Sequence, residues 1–207
     1  MVAALSIRAN PANFEVQRKR VHVWKDSLNQ HIYLTGYRGS GKSTVGRILA
    51  NSTELPFVDL DDEVERAAGV TIREIFANHG ESKFRDLETQ CLELVAKSNP
   101  TVVALGGGAI LRQENRDLIC ESGICFWLVA DAKALLERIC ADPASNDRRP
   151  ALTEMPMLEE IESILQQRHP MYEAAADHQI NVTQLSAQSV VDQIRTIMQR
   201  SADSTDC

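Results

Sequence analysis

The sequence predicts a three-layer α/β domain, with helices on both faces of a parallel sheet of about five strands. Three observations carry that reading. Short apolar runs alternate along the chain with stretches whose apolar residues recur at helical spacing. A glycine-rich turn, Gly36-Tyr37-Arg38-Gly39-Ser40-Gly41-Lys42-Ser43-Thr44, lies between the first such run and the first such helix. No repeat, low-complexity tract or break in composition divides the 207 residues, a length that suits one domain with tails.

Composition narrows the class. Hydrophobic residues make up 43% and charged residues 25% of the chain, ordinary globular values. A net charge of −7 argues against a dedicated nucleic-acid binder, because a phosphate backbone demands a basic face. No apolar run approaches a membrane span, and the first residues lack a signal-peptide core. The expectation is a soluble cytoplasmic protein, a monomer, with neither nucleic acid nor membrane as partner. Cys91, Cys120, Cys125, Cys140 and Cys207 show no C-x-x-C spacing, and His22, His31, His79, His169 and His178 are scattered. Only an oxygen-ligated ion is therefore expected.

Taken in order, residues 1–30 are basic, interrupted by Pro11, and read as a disordered or loosely docked extension. Ile32-Tyr33-Leu34 reads as a buried strand, and Val45, Ile48 and Leu49 as one face of a helix. The intervening G-x-x-x-x-G-K-[ST] pattern thus has the strand-to-helix context it needs. Its glycines let successive N–H groups point at one spot, and the helix N-terminus adds positive potential there. That is a cradle for the polyphosphate of ATP. Lys42 would reach the β and γ phosphates, and the Ser43 hydroxyl would hold a Mg²⁺.

Leu55 to Leu60 reads as a second strand ending at Asp59-Leu60-Asp61. If the strand continues, Asp59 and Asp61 point the same way, into the crevice at the carboxyl ends of the strands. One could serve the magnesium shell and the other an acceptor hydroxyl; equally, Asp59, Asp61 and Asp62 could simply cap the helix that Gly69 ends. Thr71-x-x-Glu74 is a capping box opening a short helix that stops near Gly80. A longer helix follows, from about Ser82 to Lys97, with Phe84, Leu87, Cys91, Leu94 and Val95 as its apolar stripe. Arg85 and Glu88 lie three apart on it. They read either as a surface pair or as a guanidinium fork held for a substrate carboxylate.

Thr101 to Leu105 is a third apolar strand, followed at once by Gly106-Gly107-Gly108. Three glycines there imply close approach of something to the main chain. A helix from about Arg112 to Glu121, a fourth strand from Gly123 to Val129, and a helix opened by Asp131 come next. Residues 141–155, with two prolines and with Arg148 and Arg149, read as a mobile lid beside the phosphate site. A helix from Met157 to Ala175, a strand from Gln179 to Val182, a helix capped by Ser186 and a polar tail at 201–207 complete the chain.

The order of these motifs is more specific than any one of them. The phosphate loop, Asp59-Leu60-Asp61, Phe84-Arg85-Asp86-Leu87-Glu88, Gly106-Gly107-Gly108, Arg149-Pro150, and Arg168 with Tyr172 together resemble the shikimate kinase family over residues 31–200. The resemblance implies the three-layer P-loop fold of the nucleoside-monophosphate-kinase type and Mg²⁺-dependent transfer of the ATP γ-phosphoryl group to the 3-hydroxyl of shikimate, with one Mg²⁺ per subunit. By it, Asp61 is the hydroxyl-binding aspartate and base, acting with Lys42 and Arg149. Gly39, Ser40, Gly41, Lys42, Ser43, Thr44, Arg138 and Arg149 form the nucleotide set. Arg85, Gly107, Gly108 and Arg168 join Asp61 around shikimate, and Ser43 and Asp59 take the metal positions. Tyr37-Arg38 inside the phosphate loop and Ala151 after Arg149-Pro150 depart from the family pattern. Rival readings are another small-molecule P-loop kinase, for gluconate or a nucleoside monophosphate, and a nucleotide-binding module without catalysis.

Overall fold

The computed structural model describes residues 30–141 and 156–203. The expected extension before Gln30, the expected lid with Arg149, and the last four residues lie outside the described residues.

Five strands, β1 (His31–Thr35), β2 (Phe57–Asp59), β3 (Val102–Ala104), β4 (Gly123–Val129) and β5 (His178–Asn181), form one sheet. Their order is β2-β3-β1-β4-β5, and every neighbouring pair is parallel. The helices are α1 (Lys42–Thr53), α2 (Leu60–Ala68), α3 (Ile72–Ala96), α4 (Gln113–Ser122), α5 (Ala132–Ala141), α6 (Met157–Ala175) and α7 (Ala187–Asp203), with a 3₁₀ turn at Ala109–Leu111.

The central strand β1 is buried along its whole length, as expected of a parallel strand covered on both faces. Side chains alternate between two cores. Ile32, Leu34, Phe126, Leu128 and Ile180 face α1, α5 and α7, whereas Tyr33, Val103, Leu105, Cys125 and Trp127 face α2, α3 and α4. Helix α6 contributes Ile161 and Ile164 to the first core and Tyr172 and Ala175 to the second. It therefore passes across the carboxyl edge of the sheet from one layer to the other.

Local signals explain the boundaries. Thr71 and Glu74 form the expected capping box at the start of α3, worth about 1 kcal/mol. Gly80, at φ 76° and ψ 176°, breaks α3 where a stop was expected. Gly69 ends α2 in the left-handed conformation at φ 68°. The second strand is shorter than expected. Leu55 donates its N–H to Ala50 in the turn that closes α1, and Asp59 caps α2, so the helix begins at Leu60. Asp61 accordingly sits in the first turn of a helix and not on a continuing strand, because the Asp59 carboxylate accepts its N–H at 3.2 Å.

Neighbouring strands β1 and β3 send their chains to opposite faces: α1 packs in the first core and α4 in the second. Such a reversal opens a crevice at the carboxyl ends of the strands. The phosphate loop leaves β1 there, the three glycines leave β3 beside it, and Asp59 ends β2 one strand further on.

Candidate active site

Main-chain geometry shapes the phosphate loop. Gly36, Gly39 and Gly41 have φ of 143°, 80° and 90°, a region side chains rarely enter. A Cβ on Gly36 would also lie 2.6 Å from the Leu128 carbonyl oxygen. Ser40 is buried and donates its N–H to the Tyr37 carbonyl at 3.1 Å. Lys42 arches back over the loop, and its Nζ donates to the Gly36 and Tyr37 carbonyls at 2.8 and 3.0 Å. Ser43 and Thr44 follow in the first turn of α1, with Thr44 exposed. Arg138, from α5, donates to the Val182 and Thr183 carbonyls at 2.7 and 3.0 Å and comes within 3.5 Å of the Gly39 carbonyl. One face of the loop is thus closed by a fixed guanidinium.

At the end of β2 the Ser43 hydroxyl donates to Asp59 Oδ2 at 2.6 Å. Burial pushes the Asp59 carboxyl above its ordinary range; the Ser43 hydroxyl pulls it down, and the nearby Asp61 and Asp62 charges push it up again. An aspartate that is costly to ionise, beside a hydroxyl and two further carboxylates, suits a hard divalent cation with oxygen ligands. Ser43 and Asp59 fit Mg²⁺ in donor type and proximity. Among the described residues no group of three His, Cys, Asp or Glu side chains could hold a metal, so such an ion would draw its remaining ligands from phosphate and water.

On the far side, Arg85 is braced along α3. Its Nη1 donates to Glu88 Oε2 at 2.7 Å, and its Nε and Nη2 donate to Glu81 Oε1 at 3.2 and 2.9 Å. Glu88 is fully buried. Burial works against the Arg85 charge, but Glu88 and Glu81 more than offset it, so the guanidinium is held above its ordinary range. The sequence reading found Glu88 and missed Glu81, although its place one helical turn before Arg85 was a usable signal.

The glycines after β3 explain themselves here. A Cβ on Gly108 would lie 2.4 Å from Arg85 Nη2 and 2.6 Å from both Cζ and Nη1. The close approach expected from the sequence is made by the protein's own guanidinium. The Gly107 carbonyl accepts from Arg168 Nη1 at 3.1 Å and from the Tyr172 hydroxyl at 2.8 Å. Tyr172 is itself stacked on Trp127, with ring centroids 5.3 Å apart. Two guanidinium groups, from α3 and α6, therefore converge on one glycine loop. Neither the Tyr172 hydroxyl contact nor its aromatic support was assigned from sequence, because Trp127 and Tyr172 meet only in the fold.

Residues 38–199 match the sequence profile of the family described as "SKI: Shikimate kinase". The chain belongs to the shikimate kinase family. It is 45% identical over 165 residues to the shikimate kinase of Rhodopirellula baltica, an alignment covering 80% of this chain and 88% of that one. Its fold is similar to that of shikimate kinase from Acinetobacter baumannii in complex with shikimate, with a TM-score of 0.79, 32% identity, and coverage of 86% and 98%. A gluconokinase from Sinorhizobium meliloti superposes with a TM-score of 0.56 at 18% identity, covering 86% of this chain and 96% of that one, a likeness of fold alone. The expected five-stranded parallel P-loop architecture is what the chain has. No helix among the described residues is long and apolar enough to cross a membrane.

Proposed function

We propose that this chain transfers the γ-phosphoryl group of ATP to the 3-hydroxyl of shikimate, giving shikimate 3-phosphate and ADP on the route to chorismate and the aromatic amino acids. The observation that carries the reading is the pair of guanidinium groups, Arg85 on Gly108 and Arg168 on Gly107, fixed one strand away from the phosphate loop. A small polyol with one carboxylate needs such an anion clamp beside the phosphate donor, and a gluconate-type acceptor site lacks this combination.

Each residue then has a task. The amides of Gly39, Ser40, Gly41, Ser43 and Thr44 hold the phosphates, and Lys42 moves from the Gly36 and Tyr37 carbonyls to the β and γ oxygens. Arg138 lines the adenine side. Arg85 and Arg168 fix the acceptor carboxylate in bidentate fashion. Asp61, in the first turn of α2, orients the acceptor hydroxyl and takes its proton. Ser43 and Asp59 would hold Mg²⁺, which when bound neutralises charge on the β and γ oxygens. Arg149 lies outside the described residues; its part in the reading is to bring positive charge to the γ-phosphoryl group when the segment around it closes. No covalent intermediate on the protein is needed, since positioning and charge neutralisation supply the rate.

The test is a coupled ADP-release assay with ATP and Mg²⁺ across shikimate, gluconate and nucleoside monophosphates. Turnover is expected with shikimate, and Asp61→Asn should lower it about 100-fold or more, the lower bound for general-base catalysis. Turnover with another acceptor and none with shikimate would replace this reading. Absence of acceptor-dependent ADP release, with Asp61→Asn silent, would leave a nucleotide-binding module.

A further inference from the structure

Tyr37 sits at the second position of the phosphate loop, where its carbonyl accepts from Lys42. Its side chain nevertheless belongs to the core: it is 4% exposed and shares a cluster with Ile161 and Ile164 of α6. The face that α6 turns toward it is unusual. Glu160, Ile164, Arg168 and Tyr172 recur every four residues and so form one stripe along the helix. Glu160 is a buried carboxylate at 2% exposure, Arg168 and Tyr172 end on the Gly107 carbonyl, and Ile164 fills the space between. The stripe therefore runs from the phosphate loop at one end to the acceptor clamp at the other. Burial holds the Tyr37 phenol above its ordinary range, Arg38 and Arg168 pull it down, and Glu160 pushes it up. It is thus a neutral hydroxyl set among two guanidinium groups and a carboxylate.

We propose that Tyr37 is a positioning residue that acts through α6: its hydroxyl, with Glu160, sets the orientation of the Arg168 fork, so that a residue of the phosphate loop governs affinity for the acceptor carboxylate. The proposal rests on the shikimate reading above, and the unmodified enzyme separates the two: if it does not turn over shikimate, that reading has failed before any variant is made.

A tyrosine that merely fills space is replaced by phenylalanine at no kinetic cost. If Tyr37 positions Arg168, Tyr37→Phe should raise the Michaelis constant for shikimate about fivefold, the scale of one hydrogen bond, and change that for ATP less than about twofold. Glu160→Gln, which keeps shape and removes the charge, approaches the same point from the helix and should move the same constant in the same direction. The deciding measurement is a double-mutant cycle on kcat/KM for shikimate with Arg168→Lys. Because Tyr37 works through Arg168, its hydroxyl should lose its effect once the fork is gone, so the combined variant should match Arg168→Lys alone. Additive losses, equal changes in both Michaelis constants, or an unchanged shikimate constant in both Tyr37→Phe and Glu160→Gln would overturn the proposal.

Discussion

Gly108→Ala isolates the contact on which the acceptor clamp depends. The backbone is no obstacle, since Gly108 has φ −117° and ψ 3°, which alanine adopts. The obstacle is the added methyl carbon, placed 2.4 Å from Arg85 Nη2 and 2.6 Å from Cζ and Nη1. Ordinary contact needs about 3.5 Å, so the guanidinium must retreat by roughly 1 Å. It cannot retreat freely, because Glu88 holds Nη1 at 2.7 Å and Glu81 holds Nη2 at 2.9 Å. A shift of that size strips the fork of one charge-assisted hydrogen bond to the acceptor, worth about 1.5–3 kcal/mol. The shikimate Michaelis constant should then rise roughly 10- to 150-fold, with that for ATP unchanged. Initial rates with each substrate varied in turn read this directly, and a thermal melt checks that the fold survives. A shikimate constant within about twofold of the parent, or an equal rise for ATP, would show that the methyl is absorbed elsewhere and that Arg85 does not clamp the anion.

Three further outcomes follow from the same geometry. Arg168→Lys keeps the charge but loses the planar fork on Gly107, so it should raise the shikimate constant about 10-fold or more while sparing ATP; equal effects on both would remove Arg168 from the clamp. Asp59 binds its proton more tightly folded than unfolded, so its contribution to stability is complete below the unfolded pKa and is lost as pH rises through the folded one. Asp59→Asn should therefore melt no lower than the parent at neutral pH, yet lose roughly 10- to 100-fold in turnover and need more Mg²⁺; a clearly lower melting temperature would contradict the cost assigned to that carboxylate. His31 is held below its ordinary value of 6.5 by burial, which contacts to Ala96 and Thr101 only partly offset. The unfolded chain thus takes up a proton that the folded one refuses, and stability should fall as pH drops through that value. His31→Gln should flatten the profile of melting temperature between about pH 8 and 5, and an unaltered slope would assign the acid sensitivity to other groups.

What the sequence made legible was what depends on neighbours in the chain. β4 and α6 have the expected bounds because an unbroken apolar run and a long 3.6-residue pattern fix them. The phosphate loop, the Thr71 capping box, the stop at Gly80 and the Arg85–Glu88 pair are likewise local in sequence. The second strand was over-extended because its flanks answered to other demands: Leu55 to the closing turn of α1 and Asp59 to the start of α2. Illegible were contacts between distant segments. Nothing near Gly108 announces that Arg85 will lie against it, and nothing near Gly107 announces Arg168 or Tyr172, 61 and 65 residues away. The glycine run signalled a close approach but could not name the visitor. Tyr37 and Glu160 looked like a loop oddity and a surface acid until α6 brought them together.

The position of β1 has a consequence for how the chain is made. It is the first strand of the sheet yet lies at its centre, with Ile32 opposite Val102 on one side and Ile124 on the other. Its apolar backbone ladder therefore finds no partner until some seventy residues later have emerged from the ribosome, and the outer pairing of β4 with β5 comes only with His178 to Asn181. During that interval an adhesive strand is uncovered, a circumstance that favours association between nascent chains and invites chaperone binding.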